Sequence, residues 1–316
     1  MVDLILGCAG DDKSLYEEKY LMNELEKNNI NLFAERGKKW IASLPKIIVS
    51  LSKKWQLTDV IPVENMSWNY VAKAHSAEHG FVCIKVSIDK NLIADEIKAL
   101  EYFNGFGMIK LIDHDTKLHA LLTTQATPGK SLKELYQSNK EKPIAIYASV
   151  IESLLSAPKT KVNNNKHVKD WLKAFDRIAE DVLPKNLIYK ARILSNEMLD
   201  QPYDEFFLHG DLHMDNIISD QNEWITIDPK GIVGPKEFEI ACFDFITKDE
   251  LSSSDNIPEL FDSRAKKLSH LLKIDHSILK NWVFIRLVLG ACWMIEDNGK
   301  ADLFLNQVEA IFSNLT

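Results

Sequence analysis

The chain has 316 residues, 46% hydrophobic and 27% charged, which is length enough for one large or two medium domains with real cores. A net charge of −8 argues against nucleic acid as a partner, since that binding rests on Lys and Arg neutralising phosphates, and suits a cationic or neutral substrate better. Cys8, Cys83, Cys242 and Cys292 lie far apart without a Cys-x-x-Cys pair, so neither a zinc site nor a disulfide framework is indicated, and reduced thiols in a cytoplasmic protein are expected.

The opening "MVDLILGCAG" lacks the basic region and the long apolar stretch of a signal peptide. Residues 15–29 and 40–55 read as helices; in the second, Trp40, Leu44, Ile47, Ile48, Leu51 and Trp55 recur at helical spacing, with Pro45 tolerable in a first turn. After Pro62 the pattern turns to strands. "WNYVAKA" and "GFVCIKVSI", joined by polar "HSAEHG", read as a hairpin, followed by a helix over "NLIADEIKALEYF" that the glycines at 105 and 107 end. "MIKLIDHD" and "LHALLTTQA" read as two further strands. A small antiparallel sheet carrying one helix is therefore expected over residues 1–126, behind a helical extension.

Residues 127–316 read as a second, mostly helical domain, with the boundary near Ala126 to Gly129. Helical patterns over 131–200 are broken at Pro143, Pro158 and Pro184, and residues 257–316 return to helices. The apolar run from Trp282 to Ile295 is interrupted by Arg286 and reads as too short for a bilayer, so no membrane segment is expected. Between the helical stretches, residues 206–230 read as two short apolar strands around "HGDLHMDN". The fold class expected is α+β in two lobes.

"HGDLHMDN" sets two histidines, two aspartates and an asparagine within eight positions. His209, Asp211 and His213 alternate and could line one side of a strand as metal ligands, but a hydrolytic zinc site needs a further ligand, and the later histidines, His270 and His276, stand in a helical region. A phosphoryl-transfer loop uses more of the sequence: His-x-Asp, then Asn five residues on, then a short hairpin, then Asp. Here these are His209, Asp211, Asn216 and Asp228. Asp211 would accept or orient the proton of an attacking hydroxyl, while Asn216 and Asp228 would offer Mg²⁺ hard oxygens and His209 would brace the loop. Lys85, among apolar strand neighbours, is placed to hold nucleotide phosphates, with Glu96 on the next helix as its partner; an exposed lysine and an exposed glutamate are the alternative.

Together "SWNYVA" (67–72), "CIKVS" (83–87), "PGKSL" (128–132), "LHGDLHMDNI" (208–217) and "IDPKGIVG" (227–234) resemble the aminoglycoside and hydroxyurea phosphotransferases, from residue 37 to the end of the chain. The resemblance is to the streptomycin 6-phosphotransferase and hydroxyurea kinase group of the protein-kinase-like fold. It implies a two-lobed fold with ATP between a small antiparallel-sheet lobe and a helical lobe. It further implies Mg²⁺-dependent transfer of the γ-phosphoryl group to a hydroxyl of a small molecule, with Asp211 as base, Asn216 and Asp228 as metal ligands, Lys85 and Glu96 as the phosphate-holding pair, and Gln125 to Thr127 as the linker meeting adenine. "ENMSWNYV" has no glycine where a protein kinase has a glycine-rich loop, so Ser67 and Asn69 supply polar contacts there or merely close a turn. Lys230 reaches a phosphate or sits on its turn. "GCAGDDKS", with Asp12 in the second glycine's place of a Gly-x-x-x-x-Gly-Lys-Ser pattern, reads as chance.

Between Lys236 and Asp262 stand eight acidic and two basic residues. Glu237, Glu239 and Asp244, with Glu296 and Asp297 further on, are candidates to receive an amine or guanidinium of the acceptor; a solvated acidic face is the alternative. The expected activity is that of an aminoglycoside kinase conferring antibiotic resistance. A kinase of another alcohol or hydroxylamine such as hydroxyurea, a non-catalytic nucleotide-binding module and a metal hydrolase are the rivals.

Overall fold

In the computed structural model, the residues described are 23–158, 166–179 and 182–312. They fall into two compact units: the described part of Met1–Ala94 with Ile112–Gln125, and Asp95–Leu111 with the described part of Ala126–Thr316. The chain crosses between units after Ala94, Leu111 and Gln125. Most of the helix expected to belong with the sheet instead clusters with the second unit, where Phe103 packs on Phe207 with ring centroids 5.8 Å apart.

The first unit is built on a five-stranded sheet in the order β1-β2-β3-β5-β4, from β1 (Leu57–Pro62), β2 (Tyr70–Ser76), β3 (Gly80–Val86), β4 (Leu111–Asp115) and β5 (Ala120–Thr124). β2 pairs antiparallel with β3, as the hairpin reading requires, and β3 with β5. Strand periodicity sends Ala72, Ala74, Val82, Ile84 and Val86 to one face, where Leu44, Leu51 and Trp55 of the N-terminal helical segment and its C-terminal turn cover them. That segment, α1 (Asn23–Lys54), is one helical run broken at Ala34, where φ is +47°. The two helices expected are thus adjoining halves of one element, with residues 15–22 of the first outside the described residues. Pro45 lies inside the second half, not in its first turn, so the i→i−4 bond to Ile41 is missing there. β1 escaped the sequence reading because its burial does not alternate: Leu57 is buried while Thr58, Asp59 and Ile61 are exposed.

The second unit begins within α2 (Lys90–Phe103). It continues through β6 (Pro128–Ser131), α3 (Leu132–Ser138), α4 (Lys142–Leu155), α5 (Val168–Leu172), α6 (Ala174–Arg177) and α7 (Lys185–Asp200). Pro143 stands in the first turn of α4 and Pro184 caps α7, so two of the three prolines read as breaks open helices, where a missing N–H costs nothing, while Pro158 follows the end of α4. Next come β7 (Phe206–Leu208), a 3₁₀ turn (Met214–Asn216), β8 (Ile217–Asp220), β9 (Glu223–Thr226) and β10 (Ile232–Gly234). α8 (Lys236–Ile240), α9 (Lys248–Ser253), α10 (Ile257–Leu272), α11 (His276–Glu296) and α12 (Asp302–Phe312) complete the unit. β10 pairs with β7, and β8 joins β6 and β9 in a three-stranded sheet. α11, 21 residues of high hydropathy, is long and apolar enough to cross a bilayer, contrary to the reading of its sequence as too short. Here it is a core helix, with Trp282, Phe284, Ile285 and Leu289 buried.

Candidate active site

The loop after β7 is shaped by its buried histidine. His209 is 0% exposed; its Nε2 donates to the Ile227 carbonyl at 2.8 Å, and its Nδ1 accepts the Asp211 N–H at 3.2 Å. Burial pushes its pKa down to about 4, so the ring is neutral with the proton on Nε2. Both ring nitrogens are taken, which removes His209 from the metal-cluster reading, and among the described residues there is no grouping of three or more His, Cys, Asp or Glu side chains able to hold a metal.

Gly210 follows with φ +88°; a Cβ there would lie 2.9 Å from Ile232 and 3.0 Å from Trp171, so the position excludes larger residues by conformation and by space. Its peptide is held on both sides. The N–H donates to Glu239 Oε2 at 2.8 Å, and the carbonyl accepts from Arg286 Nη1 at 3.2 Å. Arg286 rises from α11 over the ring of Phe238, 4.5 Å from its centroid, with Trp293 beyond. An arginine interrupting an apolar run was the signal that could have found it.

Asp211 is half-buried. Burial works to raise its pKa, but Lys230, His213, Arg286 and His209 outweigh that and leave it below the ordinary carboxylate value, hence ionised at neutral pH. Lys230 Nζ lies 3.6 Å from Asp211 Oδ2. Asn216 Nδ2 donates to the Asp211 carbonyl at 2.8 Å, which commits the nitrogen end of the amide to the loop. The Ile227 N–H donates to the Asn216 carbonyl at 3.0 Å, placing Asp228 one residue beyond that contact. Asp228 has φ +60°, a conformation Asp tolerates better than most residues. Asp211, Asn216, Asp228 and Lys230 are therefore gathered on one hydrogen-bonded loop of the second unit.

The other expected site residues are placed as follows. Lys85 on β3 is 5% exposed and Glu96 on α2 is 8% exposed, so both are buried charges and the reading of them as exposed surface groups falls. Ser67 is exposed and Asn69 half-buried in the connector before β2. The Gln125 N–H donates to the Phe81 carbonyl in the first unit. The backbone of Thr127 is engaged on both sides in the second, its N–H by Asp220 Oδ1 and its carbonyl by the Gln221 N–H, which leaves its N–H committed within the protein.

The acidic candidates divide. Glu239 is 2% exposed and bound to the Gly210 N–H, with Oε1 lacking a hydrogen-bond partner; it supports the loop and does not face an acceptor. Burial lifts its pKa to about 7. Asp244 accepts the Met214 N–H at 2.8 Å, again as loop support. Glu296 takes both Nε and Nη2 of Arg177, at 2.6 and 3.1 Å, so its charge is already paired. Glu237 is half-buried and Asp297 exposed.

The fold is shared with solved kinases of small molecules. An aminoglycoside phosphotransferase solved with ADP and hygromycin B aligns with a TM-score of 0.60 at 12% identity, over 83% of this chain and 94% of that one. The choline kinase of Streptococcus pneumoniae aligns with a TM-score of 0.61 at 16% identity, over 86% and 98%. An α+β fold of this kind, carrying the 206–230 loop, defines a protein-kinase-like chain. More particularly, the chain belongs to the aminoglycoside/hydroxyurea antibiotic resistance kinase family, whose sequence pattern matches residues 54–298. It is 23% identical to the streptomycin 6-kinase of Streptomyces glaucescens, over 85% of this chain and 89% of that one. It is also 23% identical to the hydroxyurea phosphotransferase of Kitasatospora aureofaciens, over 87% and 80%.

Proposed function

We propose that the protein is a cytoplasmic, ATP- and Mg²⁺-dependent kinase that phosphorylates a hydroxyl of a small molecule, with an aminoglycoside of the streptomycin type as the first candidate acceptor. The observation that carries this is one loop: the Asn216 amide donates to the Asp211 carbonyl and the Ile227 N–H to the Asn216 carbonyl, which joins the segments that carry Asp211, Asn216 and Asp228 and supports reading them as a base and two oxygen donors. Membership of the family supports the reaction class.

Ionised Asp211 orients the acceptor hydroxyl and takes its proton as the new O–P bond forms and the bond from the γ-phosphorus to the β–γ bridging oxygen of ATP breaks, with ADP as the leaving group. Asn216 and Asp228 suit Mg²⁺, which favours a few oxygen donors alongside phosphate and would neutralise charge on the transferred group. Lys230, close to Asp211, steadies negative charge on that loop, and Lys85, a buried cation, is suited to the α- and β-phosphates. Ser67 and Asn69 would contribute polar contacts to the phosphates, and Gln125 would meet adenine. Phosphorylation of a cationic antibiotic adds charge and bulk that would spoil its target contacts.

A second reading, a small neutral acceptor such as hydroxyurea, is favoured by one observation. Of the five carboxylates suited to a cation, Glu239 and Asp244 hold loop N–H groups and Glu296 pairs with Arg177 at the surface, leaving Glu237 and Asp297. The deciding experiment is incubation with Mg²⁺-ATP and a panel of streptomycin, other aminoglycosides and hydroxyurea, each product weighed for one added phosphoryl group. Phosphorylated streptomycin establishes the first reading and phosphorylated hydroxyurea the second; no product from the panel, with ATP consumed on other alcohols, rejects both acceptors.

A further inference from the structure

The helical segment that precedes the family-matched region does more than cover the sheet. Asn28 Nδ2 donates to the Ser67 carbonyl at 3.0 Å. Asn29, fully buried, donates to the Trp68 carbonyl at 3.0 Å and to the Leu25 carbonyl at 2.9 Å. Beyond the break at Ala34, Arg36 Nη2 donates to the Ile88 carbonyl at 2.7 Å, with its guanidinium 5.2 Å from the Phe33 ring centroid. The break brings the halves of α1 together at Gly37, where a Cβ would lie 2.3 Å from the Asn29 carbonyl oxygen.

Three side chains of α1 thus occupy carbonyls in two connectors, residues 63–69 before β2 and 87–89 after β3. Both connectors leave the same end of the β2–β3 hairpin, where Tyr70 pairs with Val86 and Val71 with Lys85. Lys85 stands one residue from that end. Ser67 and Trp68 are exposed, so water could satisfy their carbonyls; what Asn28 and Asn29 add is restraint. A connector without glycine offers phosphates its side chains, and those serve only if the chain is held before the ligand arrives, because ordering it on binding subtracts from affinity.

We propose that Asn28, Asn29 and Arg36 are positioning residues that hold the 63–69 connector and the Lys85 end of the sheet ready for the phosphates of a nucleoside triphosphate. The proposal rests on the reading of Lys85, Ser67 and Asn69 given under Proposed function. Its test compares the full chain with Asn28→Ala, Arg36→Met and the double variant, with Arg36→Lys as the conservative rescue. Two quantities are read: hydrogen exchange at residues 63–70 and 87–89 in the unliganded protein, and the Kd for Mg²⁺-AMP-PNP by calorimetry. In the double variant, faster exchange in both connectors and a Kd raised about 5- to 30-fold are expected, with circular dichroism unchanged. Arg36→Lys stays near wild type. Unchanged exchange overturns the tether, and faster exchange with unchanged Kd overturns its role toward nucleotide. A wild-type chain that binds no AMP-PNP overturns the nucleotide reading itself, and the proposal with it, whatever the exchange shows. If the double variant fails to fold, Asn28→Ala alone, at a half-buried position, carries the same comparison with a Kd raised about 2- to 10-fold.

Discussion

Asp211 and Glu239 are carboxylates separated by one glycine peptide in their contacts, yet their surroundings set them apart. Asp211 is kept ionised by Lys230, His213 and Arg286 against the pull of burial, whereas burial carries Glu239 up to about 7. Asp211→Asn should keep the geometry and nucleotide binding while lowering turnover at least about a hundredfold, since a general base contributes about 10²- to 10⁴-fold; an unchanged rate in a single-turnover assay would remove Asp211 from that role. Glu239 acts through the loop. Gln in its place retains an acceptor for the Gly210 N–H and should leave turnover within a few-fold, whereas Glu239→Leu strands that buried N–H and should cost about 1–3 kcal/mol of stability, measured by urea unfolding. The protonated form of Glu239 is favoured by folding, so its contribution to stability is full below about 4.5 and is lost as pH rises through about 7; Glu239→Gln should flatten that part of the stability profile.

Among the elements, α3, α9 and α10 meet at a buried carboxylate. Glu250 accepts from the Tyr136 hydroxyl at 2.8 and 3.0 Å, from Arg264 Nη1 and Nη2 at 2.9 and 2.8 Å, and from the Thr247 N–H at 3.1 Å. Burial alone would raise its pKa; Arg264, Thr247 and Tyr136 outweigh burial and hold it at about 2. The sign is the reverse of Glu239. Stability from Glu250 is full above about 4.5 and is lost as pH falls toward about 2, a loss that Glu250→Gln should abolish. Removing one partner of such a pair costs about 3–5 kcal/mol, so Arg264→Met should destabilise strongly, and Glu250→Leu combined with Arg264→Met should recover much of it. A double-variant loss equal to the sum of the losses in Glu250→Leu and Arg264→Met alone, by urea unfolding, would show that the pair is not coupled. None of this network could be read beforehand: Tyr136, Glu250 and Arg264 lie 114 and 14 residues apart, and only tertiary packing unites them.

For the whole molecule, binding of Mg²⁺-nucleotide must stabilise the folded chain by mass action. AMP-PNP with Mg²⁺ at about a hundred times its Kd should add about 2.7 kcal/mol, and chelating the metal should remove most of the gain; a urea midpoint that ignores both ligand and chelator would count against nucleotide binding. The hairpin, the second strand pair and the 206–230 loop were legible because their signals are local: alternation at period two, turn residues, and chemistry-bearing groups set close together by spacing alone. The family resemblance was legible for the same reason, its motifs being short and contiguous. Burial, pairing and strain are decided by neighbours distant in the chain. The sequence could offer Glu239, Asp244 and Glu296 as acceptor contacts, but whether a carboxylate meets solvent, the Gly210 and Met214 N–H groups or Arg177 depends on what the fold brings against it. The same holds for Arg286, for the break of α1 at Ala34 and for the tether of Asn28 and Asn29 to residues 39 positions away. By itself the sequence determined which groups can do chemistry; the tertiary structure decided which of them are already occupied, because a hydrogen bond or ion pair across the fold is a property of two places at once.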